Sequence, residues 1–151
     1  METIVEKTAN ALSDLIIINN DRYEGYQKAM EQTKDADLKD LFSKFSVQSK
    51  ANNAELRAMV PSSEETPDRD ETRISGKFYR VWMDVKNALV SNNRKEVLSS
   101  CEYGEDIAKK AYENALADRA ELSADVVAQI QKQYDELLDA HNLIKSLRDS
   151  A

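Results

Sequence analysis

One imidazole, His141, and a set of carboxylates on one long helical stretch are the side chains best suited to hold a metal ion. Glu102 and Glu105 stand in the run Cys101-Glu-Tyr-Gly-Glu-Asp106. At 100° per residue, Val97, Cys101, Gly104, Ala108, Ala111, Tyr112 and Ala115 share one side of that helix. Glu105 falls at the edge of this stripe, while Glu102 and Asp106 point further away. A carboxylate against an apolar face needs a cation, a hydrogen-bond donor or a metal. Glu102, Glu105 and His141 are thus the candidate ligands of a reduced site, since three nitrogen or oxygen ligands can hold zinc or another divalent ion. The separation is unfavourable: Glu105 is expected near the level of Glu136, about 7–8 Å along the helix from His141.

The competing reading is a buried polar network without metal or cofactor. Arg22 is placed to neutralise Glu105, and Tyr23, Tyr26 and Tyr134 can donate hydroxyl protons. Asn19, Arg22, Tyr23, Ser49 and Asn52 occupy polar positions on otherwise apolar stripes and are its candidate members. The same polar middle, around Asn19, Ser49 and Asn52, is also the place where a small ligand or buried water would fit. Cys101 is the only cysteine, so no intrachain disulfide forms, and its apolar setting favours a structural thiol over a thiol–imidazole pair with His141. Gly104 interrupts a helix at a cost of about 1 kcal/mol relative to alanine, which close approach by a neighbour would justify.

Those side chains need long helices to carry them. The 151 residues make one domain, residues 1–151, with three glycines and two prolines and no alternating strand pattern, so an all-α fold is expected. The net charge of −7 argues against a nucleic-acid partner. No window reaches the length of a membrane span, and the charged start Met1-Glu-Thr-Ile-Val-Glu-Lys7 is not a secretory leader, so a cytoplasmic protein is expected.

Helical periodicity predicts a first helix at about 4–32, with Leu12, Leu15, Ile16, Asn19, Tyr23, Tyr26 and Met30 on its main stripe and Gly25 off it. A second, about 36–60, starts from Asp35 as N-cap and carries Leu38, Leu41, Phe42, Phe45, Ser49, Asn52, Leu56 and Met59. Pro61 to about Thr72 reads as an exposed, mobile loop. A shorter helix at about 76–90, capped by Ser75, places Ile74, Phe78, Val81, Trp82, Val85 and Leu89 on one face, so it should lie outside the bundle with Trp82 as a packing anchor. The third bundle helix runs over about 94–117. The fourth starts from Ser123 and runs to about Arg148, with Val126, Ile130, Gln133, Leu137, His141, Ile144 and Leu147 facing the core. The long connection lets the second and third bundle helices run parallel, the ferritin-like arrangement of a four-helix bundle with one short extra helix in its crossover.

Asp21-Arg-Tyr-Glu-Gly-Tyr, Ala54-Glu-Leu, Trp82-Met-Asp-Val-Lys, Cys101-Glu-Tyr-Gly-Glu-Asp, Lys110-Ala-Tyr-Glu and Ala140-His141 resemble an uncharacterised bacterial family of ferritin-like four-helix bundles. The resemblance spans nearly the whole chain and implies the ferritin-like fold, but no established activity. Ferritin-like di-iron proteins use a Glu from each of two helices and a Glu-x-x-His from each of the other two. One histidine cannot supply two such motifs; Leu138-x-x-His141 lacks the glutamate, and Asn52-x-x-Glu55 differs at both ends. The expected function is therefore protein association, as a homo-oligomer or with a protein partner, more in keeping with a non-enzyme. The alternative is a metal-binding or metal-dependent redox role at a reduced site.

Overall fold

A computed structural model describes residues 2–67 and 76–151. Its elements are α1 (Ile4–Gln32), α2 (Ala36–Met59), α3 (Gly76–Val90), α4 (Arg94–Ala117), a single 3₁₀ turn (Arg119–Glu121) and α5 (Ala124–Asp149). The described residues are helical with no strand, as the composition implied. The expected Ser75 cap and Ile74 contact lie outside the described residues, as do the side chain of Phe78 and the loop from Asp68 onward. The part of that loop that is described begins with a turn, in which Glu64 N–H donates to the Pro61 carbonyl.

Local sequence starts each helix. Thr3 Oγ1 accepts the Glu6 N–H at 3.1 Å, and Asn93 Oδ1 accepts the Glu96 N–H at 3.1 Å, so α1 and α4 have side-chain caps. Asp35 and Ser123 stand at the N-cap positions of α2 and α5 as expected, but neither makes a side-chain capping bond. Asp35 instead accepts from Arg94 at 3.3 Å, which ties the start of α2 to the start of α4. Between α3 and α4 the chain turns at Asn92, whose φ of 56° is in the left-handed region that asparagine tolerates.

Side-chain pairings give the directions. Asn53 meets Asn20 and Ser46 meets Gln27, so α1 and α2 are antiparallel. Asn19 meets Tyr112 and Arg22 meets Glu105, so α1 and α4 are antiparallel. Tyr112 meets Gln133 and Asp106 meets His141, so α4 and α5 are antiparallel. It follows that α2 and α4 run the same way, with α1 and α5 opposed to them, as the long crossover predicted.

Two apolar clusters fill the bundle. One gathers Leu12, Leu15, Ile16, Leu56, Tyr112, Ile130 and Leu137; the other gathers Tyr26, Phe42, Phe45, Val85, Leu98, Cys101 and Ile144. Between them lies a polar layer. The crossover helix α3 rests over α1 and α4, burying Val81, Val85 and Ala88. Its Trp82 ring lies against Gly25 and meets the Tyr26 ring edge-on, with centroids 5.1 Å apart. Gly104 faces the same helix: a Cβ there would stand 3.0 Å from Val81 Cγ1. The close neighbour expected at Gly104 is thus a side chain of α3, and Gly25 is off the main stripe of α1 because it serves that same third helix.

Candidate functional site

The polar layer is built around Arg22 and Glu105, each 1% exposed. Arg22 approaches in a fork: Nε donates to Glu105 Oε2 at 2.9 Å and Nη2 donates to Oε1 at 2.7 Å. The paired geometry makes these charge-assisted bonds strong and directional. Tyr26 Oη donates to Glu105 Oε1 at 2.7 Å. On the other side, Arg22 Nη1 donates to Ser49 Oγ at 2.9 Å, and that hydroxyl donates onward to the Phe45 carbonyl at 2.9 Å. The guanidinium carbon also lies 5.4 Å from the centre of the Tyr26 ring and 5.3 Å from that of Phe45, within cation–π range. Burial alone would lower the basicity of Arg22, but the Glu105 charge and hydrogen bonds outweigh it and hold its pKa above the ordinary value. Guanidinium and carboxylate thus form a buried salt bridge, each side chain 1% exposed.

A second chain of bonds crosses the bundle one turn further along. Asn19 Nδ2 donates to the Leu15 carbonyl at 2.9 Å and to Tyr112 Oη at 2.8 Å. Tyr112 Oη donates to Gln133 Oε1 at 2.7 Å, and Gln133 Nε2 donates to the Asn52 carbonyl at 3.2 Å. These direct bonds join all four bundle helices. Of the polar middle expected to house a ligand or water, Asn19 Nδ2 and Ser49 Oγ are bonded to neighbouring side chains, Asn52 contributes its backbone carbonyl, and Asn19 Oδ1 is buried without a hydrogen-bond partner among the described residues. Tyr23 differs from expectation. It is half-buried, with Lys50 Nζ 6.0 Å from its ring centre, whereas Tyr26, also expected as a donor, is the tyrosine bonded to Glu105. Tyr134 donates to Glu113 at 2.7 Å rather than to Glu105.

The three metal-ligand candidates do not meet. Glu105 faces α1, whereas Glu102 and His141 lie at the seam between α4 and α5. There His141 Nε2 is 2.8 Å from Asp106 Oδ1 and 3.9 Å from Glu102 Oε1. Glu102 Oε2 accepts from Arg148. Asp106 points away from the apolar stripe, as its helical position implies, and that is where His141 lies. The spacing that could have found it is the i, i+4 step from Glu102 to Asp106, which puts both carboxylates on one face. Ala140, not His141, faces the core.

Cys101 is fully buried with no disulfide. Burial, and then the nearby Glu105 charge, push its thiol pKa up, so the structural reading stands and the thiol–imidazole pair does not form: Cys101 packs in the apolar cluster with Tyr26 and Leu98. Burial first, and Glu105 next, also push the Tyr26 hydroxyl well up, and burial pushes up Tyr112. All three groups therefore hold their protons more tightly folded than unfolded. Their contribution is complete below the unfolded values, about 8.5 for a thiol and about 10 for a phenol, and falls as pH rises beyond them. Urea unfolding between pH 7 and 11 should show stability falling above about pH 8.5, by about 1.4 kcal/mol per pH unit for each group engaged. A flat profile over that range would contradict the burial of these groups.

Among the described residues no helix is long and apolar enough to cross a membrane. A family model described as Domain of unknown function (DUF2383) matches residues 7–118, and the chain belongs to that family. The match runs from Lys7 within α1 to the end of α4, so α5 with Gln133, His141 and Arg148 lies beyond it. Comparison with curated proteins gives no match.

Proposed function

We propose that this DUF2383 chain is a cytoplasmic ferritin-like bundle that works by protein association, its centre given to a structural ion pair rather than to chemistry. The observation that carries the reading is the Arg22 fork on Glu105. A ferritin-like centre would offer such a carboxylate to iron; here both its oxygens accept from a guanidinium and a phenol. The sole imidazole is at the α4–α5 seam, bonded to Asp106. These residues do not fit a carboxylate-bridged di-iron centre.

Association draws support from the surface between α1 and α4. The furrow between these helices is covered at one end by α3. Beyond it a groove stays open, with Ala11, Ala111 and Ala115 exposed in part over Leu15, Ile18 and Leu122. Small side chains allow a helix to approach closely, as α3 itself does at Gly25 and Gly104. The rim carries Glu2, Asp14, Asp118 and Glu121 against Lys7, which is paired with Glu121 at 3.1 Å. A second copy of a chain with net charge −7 would set acid against acid there. The occupant this groove fits is a basic amphipathic helix of a partner protein.

The test uses the full chain and a synthetic amphipathic leucine–lysine helical peptide, followed by fluorescence anisotropy and light scattering. Saturable binding should weaken about tenfold or more in Ala115→Trp, which fills the groove without changing charge. Equal binding to Ala115→Trp, no binding at all, or a stable homodimer closed through this groove would each overturn the reading.

A further inference from the structure

The seam between α4 and α5 brings together the only imidazole and two carboxylates, outside the buried network. Glu102 and Asp106 are one turn apart on α4, and His141 reaches them from α5. One ligand atom from each lies within 4.8 Å of the other two. We propose that Glu102, Asp106 and His141 form a three-ligand site for a borderline divalent cation of the Zn²⁺ class. The proposal is independent of the association reading.

Ligand distances decide whether the site can close. Zinc bonds of about 2.0–2.1 Å in tetrahedral geometry place neighbouring ligand atoms about 3.3–3.4 Å apart. His141 Nε2 and Asp106 Oδ1, at 2.8 Å, must open by about half an ångström, and His141 Nε2 and Glu102 Oε1, at 3.9 Å, must close by about as much. Each is a shift of about half an ångström at the end of a side chain. The surroundings orient the donors. Arg148 holds Glu102 Oε2, which leaves Oε1 facing His141. Asn142 Oδ1 stands 3.4 Å from His141 Nδ1, an oxygen on the ring nitrogen away from the site. An outer carbonyl or carboxylate at the second nitrogen is the usual support of a metal-bound histidine. The His141 and Glu102 side chains are 14% and 15% exposed, whereas Asp106 is 49% exposed. The pocket is therefore sheltered on the protein side and open on the other, which leaves a fourth position to water. One nitrogen and two carboxylate oxygens suit zinc or cobalt better than calcium or magnesium, which prefer all-oxygen shells.

The experiment titrates the chelator-treated full chain with Co²⁺ and Zn²⁺. Visible ligand-field bands should saturate at one equivalent of Co²⁺, and Zn²⁺ should abolish them by displacement. His141→Ala and Asp106→Asn should each weaken binding by about tenfold or more, with far-UV circular dichroism checking the fold. Should His141→Ala not fold, nitrogen-15 correlation spectra of the native chain decide. Its single histidine gives an unambiguous imidazole signal, and one equivalent of Zn²⁺ should shift it. Unchanged affinity in a folded His141→Ala, an unmoved imidazole signal, or an adventitious ion only, bound without stoichiometry, would overturn the proposal.

Discussion

Replacing Arg22 with Met is expected to destabilise the bundle by about 3–5 kcal/mol, the usual cost of leaving one partner of a buried ion pair alone. Glu105 would keep its burial and the Tyr26 hydroxyl but lose its guanidinium bonds. The loss would follow from the uncompensated charge far more than from the missing volume, since methionine fills much of the space of the arginine stem. Arg22→Lys is the informative partner. It keeps the charge but cannot reproduce the fork onto Glu105 while also reaching Ser49, so it should recover only part of the stability. Urea midpoints of the two variants measure this. Equal stability of Arg22→Met and the parent chain would show that the pair contributes nothing.

Gly25→Ala should be the second costly change, against the helix-propensity rule. In an exposed helix the substitution gains about 1 kcal/mol. Here the added Cβ would lie well inside 3.0 Å of three Trp82 ring atoms. The indole must leave its seat against α1 and Tyr26, so a net loss of about 2–3 kcal/mol is expected. Because Trp82 is the only tryptophan, its fluorescence should shift to the red as the ring is expelled. In a Trp82→Ala background the same substitution should turn neutral or mildly stabilising. A Gly25→Ala chain that is more stable, with unshifted emission, would place the indole elsewhere. Gly104 gives a milder contrast, because its neighbour is a single Val81 methyl at 3.0 Å that has some freedom to yield.

Periodicity made the helices legible, because burial repeats with the geometry of the helix itself. It also identified the polar positions Asn19, Arg22, Ser49 and Asn52 and the partnership of Arg22 with Glu105. It failed where the choice was between steps of three and four. After Leu137 both Ala140 and His141 continue a stripe toward Ile144, and only packing against α4 sends Ala140 inward and His141 to the seam. The same ambiguity put Tyr23 beside Tyr26 on the main stripe, where Tyr26 is buried and Tyr23 only half-buried. A helix such as α1, covered by α2, α4 and α3, buries more than one stripe, so no single face describes it. The union of Glu102, Asp106 and His141 depends on the register between α4 and α5, and a turn of a few residues leaves that register open at the level of one helical turn.

The central claim is that the middle of this bundle is held by a charge-balanced pair, and a double-mutant cycle on Arg22→Met and Glu105→Leu tests it most directly. Each single change strands a buried charge; together they leave an apolar layer in which Tyr26 and Ser49 lose a partner, at about 1 kcal/mol each. The account predicts that the double variant is more stable than either single one, with a coupling of about 3 kcal/mol or more. Two losses that simply add would contradict it.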